Sequence, residues 1–276
     1  DGIDYTSLEK LLDFQISENV NAIVVLGTTG ESATVTDAER TEIIRFCRAK
    51  IPRRVPLIVG TGSNDTKKAV KMTREACSLG ADAVLCVTPY YVRPDADGII
   101  DYYDKISRES DKPVIVYNVP SRTGTDIDLD TYVRLAKMKN ISAIKEAGTD
   151  INKISRLCAA LGDGVDLYSG NDTMTLPLLS LGAKGVISVA SNVYPEKVID
   201  ICKYFESGEI EKSRAAQFDT QKISDFLFCR SNPIPIKALA SKLGLCKNVL
   251  RSPLTPLDSD KLPKMQEILS KYGGAI

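Results

Sequence analysis

Seven short apolar runs, at residues 22–26, 56–60, 83–87, 114–118, 142–145, 166–169 and 185–189, punctuate a chain of 276 residues. They are rich in Val and Ile and mostly lack strict polar alternation, as strands buried on both faces do. The stretches between them carry helical spacing. Thr36-Asp37-Ala38-Glu39 reads as a capping box opening a helix with Ile43, Ile44 and Cys47 on one side. Asn64 or Asp65 caps the next, whose Ala69, Met72, Ala76 and Leu79 share a face before Gly80 ends it. Strand, helix and strand in steady alternation imply parallel pairing. At this length that favours a (β/α)8 TIM barrel over an open sheet.

An internal echo supports a repeated unit. Ser78-Leu79-Gly80-Ala81-Asp82-Ala83-Val84-Leu85-Cys86-Val87 parallels Ser180-Leu181-Gly182-Ala183-Lys184-Gly185-Val186-Ile187-Ser188-Val189. Each reads as a helix end, a glycine turn and a strand. Only seven strands are legible, and the chain opens on a helix from Tyr5 to about Glu18, so the expectation is a barrel whose first strand is missing from this sequence. Helical patterns at 195–205, 209–228, 235–243 and 259–272 divide the chain into a barrel, 1–207, and a C-terminal helical extension, 208–276, packed on it.

Composition narrows the partners. Lys and Arg balance Asp and Glu at 36 each, which gives no electrostatic reason to expect nucleic acid or an anionic membrane. No apolar run is long enough to span a bilayer, and the opening Asp1-Gly2-Ile3-Asp4 does not read as a signal peptide. Seven scattered cysteines form no C-x-x-C pair and there is no histidine, so neither a metal site nor a disulfide framework is supported. A reducing cytoplasm is the expected location.

The absence of imidazole also constrains the chemistry. The usual acid–base group at neutral pH is missing, which leaves Lys, Tyr, carboxylates, thiols and hydroxyls. In a barrel, reactive groups gather at the C-terminal ends of the strands. There stand Gly27-Thr28-Thr29-Gly30-Glu31, Thr88-Pro89-Tyr90-Tyr91, Tyr117-Asn118, Lys145-Glu146 and Ser169-Gly170-Asn171. Alternation puts Ala143 with Lys145 and Ile115 with Tyr117, so amine and phenol converge if those faces line the lumen. A desolvated lysine is a candidate Schiff-base nucleophile. Singly, each residue also fits a plainer role: Lys145 an ion pair, Tyr117 a core tyrosine, Gly27–Gly30 a turn, Arg122 a surface charge.

In order and spacing, Gly-Thr-Thr-Gly-Glu-Ser, Thr-Pro-Tyr-Tyr, Tyr-Asn-Val-Pro-Ser-Arg-Thr-Gly, Ile-Lys-Glu-Ala, Ser-Gly-Asn-Asp and Gly-Val-Ile-Ser-Val resemble the dihydrodipicolinate synthase branch of the N-acetylneuraminate lyase family of class I aldolases. The resemblance extends to Asn232-Pro233-Ile234-Pro235-Ile236-Lys237 and departs at the first strand. It implies condensation of pyruvate with L-aspartate 4-semialdehyde, without metal or organic cofactor. Lys145 would form the imine, and Tyr117, Thr28 and Tyr91 would relay protons, Tyr91 from a neighbouring chain of a dimer of dimers. Thr28 and Thr29 would hold the pyruvate carboxylate beside Gly170 and Ile187, and Arg122 the carboxylate of the second substrate. Alternatives are a lyase for 2-keto-3-deoxy sugar acids or sialic acid, and a barrel that binds a keto acid without turning it over. The resemblance also implies that lysine, where it inhibits, sits near Ser32, Ala33, Asp37, Arg40, Asn64, Lys68 and Tyr90. Sensitive members carry an acid in place of Lys68, so weak inhibition is expected here.

Overall fold

The computed structural model describes residues 2–273. Helix α1 (Tyr5–Ser17) precedes β1 (Ile23–Val25), and alternation then runs through α2 (Asp37–Lys50), β2 (Leu57–Gly60), α3 (Thr66–Ser78), β3 (Ala83–Val87), α4 (Ala96–Glu109) and β4 (Val114–Asn118). A short α5 (Pro120–Thr123) and α6 (Leu129–Leu135) lead to β5 (Ile141–Glu146), α7 (Ile151–Leu161), β6 (Asp166–Ser169), α8 (Thr175–Ser180), β7 (Gly185–Val186) and α9 (Pro195–Glu206). Then come α10 (Ile210–Leu227), α11 (Ile234–Lys242) and α12 (Leu262–Tyr272).

The strands make one parallel sheet in chain order, from β1 to β7. It curls: Val24 of β1, Ile58 of β2, Leu85 of β3, Ile115 of β4, Ala143 of β5 and Tyr168 of β6 belong to one apolar cluster on the inner face. The outer face carries a larger core, with Val84, Val116 and Ile144 against helix residues such as Ile44, Tyr103 and Leu157. This is a TIM-barrel-like fold of seven strands; among the described residues β1 and β7 are the edges of the sheet. Helix α1 lies near the β7 side, where Gln15 Nε2 donates to Ser191 O at 2.9 Å.

Local chemistry sets the element ends. Thr36 and Glu39 form the capping box of α2, and Asp65 caps α3 through the N–H groups of Lys67 and Lys68. The echoed units share their geometry. Gly80 and Gly182 stand at φ +91 and +100, in the left-handed region that a side chain resists. Asp82 N and Lys184 N then each donate at 2.8 Å to the preceding strand, at Leu57 O and Leu167 O. The echo fails beyond Val186. The strand expected to reach residue 189 stops because Asp172 captures the next segment: its carboxylate accepts from Ser188 Oγ, from Val189 N at 3.0 Å and from Ala190 N at 3.3 Å. The helix expected from residue 259 likewise opens with a 3-10 turn before α12.

A second core joins Val193 and Val198 to Phe226, Leu227, Leu239, Met265 and Ile268. Apolar packing therefore crosses the 207/208 division between barrel and extension. The last three residues of the expected extension lie outside the described residues. Among the described residues no helix is long and apolar enough to cross a membrane.

Candidate active site

Strands β4 and β5 pair with Tyr117 opposite Lys145. Both side chains face the inner cluster, as the alternation within each strand requires. Lys145 Nζ lies over the Tyr117 ring, 4.3 Å from its centroid, so the amine meets the face of the phenol ring. Lys145 is only 9% exposed. Burial draws its amine down from 10.5 to about 8; Asp172 opposes the shift and Arg122 adds to it. An amine of that basicity has an appreciable free fraction near neutrality, which an ordinary surface lysine lacks. Burial raises the Tyr117 phenol, while a Thr28 hydrogen bond and the Arg122 charge act in the other direction.

The loop after β1 supplies the opposite wall. Leu26 bends at φ 57, and Gly60 lies so close beneath it that a Cβ there would overlap the Leu26 carbonyl. The chain then turns through Gly27–Glu31, where Glu31 N returns to Thr28 O at 3.1 Å. The N–H groups of Thr28 and Thr29 donate no hydrogen bond among the described residues and remain available to a carboxylate. Gly170 follows β6. A Cβ at that position would sit 2.8 Å from Ala147 Cβ and 3.1 Å from Lys145 Cε, so glycine leaves the lysine its room. Ile187, past β7, faces the same cavity of about 1750 Å³, as do Thr28, Thr29, Tyr117, Arg122 and Lys145.

Arg122 stands on α5, and its Nη2 donates to Asn232 O at 3.0 Å. Asn232 Nδ2 donates to Thr29 Oγ1 at 2.9 Å. One residue between α10 and α11 thus touches both walls. Glu31 takes Lys237 of α11 and the Arg251 N–H, the latter at 2.9 Å, which pins the loop from the same side.

Seven of the eight expected site residues come together in one chain. Tyr91 does not: it is 88% exposed, at φ 71, and lies outside the cavity lining. Asp172, Glu146, Asn232 and Glu31 shape the site without having been singled out in the sequence. Each is a polar residue inside one of the segments that carry the family resemblance, which is the signal that points to them. Among the described residues no group of three or more Cys, Asp and Glu is arranged to hold a metal ion.

The fold agrees with comparison to known proteins. The model of the Dihydrodipicolinate synthetase family matches residues 1–272. A 4-hydroxy-tetrahydrodipicolinate synthase of Alkaliphilus oremlandii is 43% identical, over 98% of this chain and 93% of its own. The crystal structure of dihydrodipicolinate synthase from Aquifex aeolicus superposes with a TM-score of 0.95 at 39% identity, covering 98% of this chain and 92% of that one. The chloride-inhibited enzyme from Acinetobacter baumannii, complexed with pyruvate, gives a TM-score of 0.96 at 39% identity, with coverages of 99% and 94%.

Proposed function

The chain belongs to the Dihydrodipicolinate synthetase family, and we propose that Lys145 carries its reaction as a Schiff-base lysine. The reaction is condensation of pyruvate with L-aspartate 4-semialdehyde to 4-hydroxy-tetrahydrodipicolinate, a lyase-type step of diaminopimelate and lysine biosynthesis. The observation that carries this reading is the buried Lys145 amine, lowered to about 8, over the Tyr117 ring.

Lys145 Nζ attacks C2 of pyruvate, water leaves, and a protonated imine forms. The imine acidifies the methyl group, which loses a proton to give an enamine. The enamine carbon bonds to the aldehyde carbon of the semialdehyde, and the aldehyde oxygen takes up a proton. The substrate amine then bonds to the imine carbon and expels Lys145. Tyr117 and Thr28 pass the protons, with Tyr91 joining them from a second chain. The free N–H groups of Thr28 and Thr29 hold the pyruvate carboxylate beside Gly170 and Ile187. Arg122 receives the carboxylate of the semialdehyde, which separates this reading from one for sugar acids. The working assembly is a dimer of dimers in the cytoplasm.

Incubation with pyruvate and borohydride, followed by peptide mass mapping, should place a reduced adduct on Lys145. Lys145→Ala should lose the adduct and keep the fold. A persisting adduct in that variant would remove Lys145 from its role.

A further inference from the structure

The outer face of β4 and β5 repeats the pairing of the inner face. Asn118 follows Tyr117, Glu146 follows Lys145, and the register sets Asn118 opposite Glu146. Alternation turns both away from the lumen. They are buried, at 0% and 1% exposed. The Glu146 carboxylate accepts from Asn118 Nδ2 at 3.0 and 3.1 Å, from the Tyr132 hydroxyl at 2.6 Å and from Gly148 N at 2.6 Å. These partners are all neutral. A buried carboxylate without a counter-ion is costly even when hydrogen-bonded, and packing alone would be served by an apolar residue.

The backbone completes the arrangement. Glu146 O accepts from Gly170 N at 2.7 Å, and Ala147 N donates to Asn118 O at 2.9 Å. Glu146 therefore joins β4 through its side chain and the Gly170 turn after β6 through its carbonyl. The carboxylate also binds α6 through Tyr132, and the loop before α7 through Gly148.

We propose that Glu146 is a positioning residue for the chemistry of Lys145: from behind the sheet its carboxylate fixes the ends of β4 and β5, and with them the spacing of the Tyr117 ring and the Lys145 amine. The inference rests on the reading of Lys145 as the imine-forming lysine. The charge has a second, smaller effect: burial chiefly raises the Tyr117 phenol, and the Glu146 charge adds to that rise and helps to keep it protonated. The charged or titratable groups around that phenol are Lys145, Arg122 and Glu146. Around Glu146 stands Tyr132, with Asp126 sharing Asn118 Nδ2 at 2.8 Å and Lys153 bonded to Asp126.

The test compares full-chain wild type with Glu146→Gln, Glu146→Asp and Tyr132→Phe, measuring kcat and pyruvate KM across pH and trapping pyruvate with borohydride. Glu146→Gln should lower kcat by about tenfold or more while pyruvate KM changes less than about twofold, as for lost alignment and not lost binding. The alkaline limb of its kcat profile should move to lower pH, because the phenol has lost its negative neighbour. Glu146→Asp should restore that limb and remain slow. Tyr132→Phe should slow the reaction with the limb in place. A Glu146→Gln enzyme with wild-type kcat, or a slow one with an unmoved alkaline limb, would overturn the proposal. If that variant does not fold, Tyr132→Phe decides: reduced kcat at unchanged KM supports the role, and wild-type kcat overturns it. Wild type that fails to trap pyruvate would instead remove the Lys145 reading itself.

Discussion

Holding Lys145 near 8 instead of 10.5 sets up a stability that depends on pH. Below pH 8 the lysine is charged in both folded and unfolded chains, and the full burial cost falls on the fold. Between those two values the unfolded chain binds more protons than the folded one, so stability from this group rises with pH until the penalty vanishes. Lys145→Met should therefore raise the unfolding free energy by up to about 3 kcal/mol at pH 7, with the gain shrinking above pH 8 and gone by about pH 10.5. Denaturant titrations at several pH values measure this; a gain independent of pH would count against the shifted amine. Arg122→Ala should leave imine formation intact and weaken use of the semialdehyde by about 2–4 kcal/mol in transition-state terms, read from kcat/KM for each substrate. The expectation of weak lysine inhibition rests on Lys68, an exposed residue in the first turn of α3. Asp37, an acid among the same positions that could attract the inhibitor, is bonded to Lys71 at 2.9 Å and held below its ordinary range chiefly by that bond. Arg40 turns inward to the Gly60 carbonyl and is 4% exposed, so it presents little charge there. Half-inhibition by L-lysine should lie above about 1 mM, and Lys68→Glu should lower it.

Elements ended by local chemistry were legible, and those ended by distant residues were not. The capping box of α2 needs only four consecutive residues, and the helix starts where it places the start. Thr36→Ala should cost about 1 kcal/mol, seen as a fall in Tm of roughly 2 °C. Strands β3 and β4 match their apolar runs because burial on both faces leaves a local signature, and β6 matches although its Asp166 is exposed. Strand β7 ran short because its continuation is held by Asp172, which lies outside any local pattern. The site divides in the same way. Alternation places Lys145 and Tyr117 on facing inner positions, yet it cannot say that the amine would lie over the ring face. Nor can it find Asn232, whose importance comes from bonds to Thr29 and Arg122 made only after the chain has folded back.

One expected participant stays outside the site. Tyr91 and Val92 are 88% and 57% exposed on a loop where Tyr91 and Arg93 both have positive φ. An exposed aromatic held in so particular a backbone fits a residue offered to another chain. Mixing Tyr91→Phe and Lys145→Ala protomers should restore part of the activity each lacks, provided subunits exchange. No recovery after demonstrated exchange would count against a shared site. The reach of the C-terminal helices bears on synthesis. The hydroxyl of Thr29 meets its Asn232 partner across 203 residues of chain, and Glu31 meets Lys237 across 206. At ribosomal speeds of about 5–20 residues per second, the loop that would cradle pyruvate emerges roughly ten to forty seconds before the residues that steady it. A nascent chain can lay down strands and bury apolar side chains during that interval. The pocket gains its last wall only once Asn232 and Lys237 have emerged, so a ribosome stalled before Asn232 should hold a largely folded barrel that does not turn over substrate.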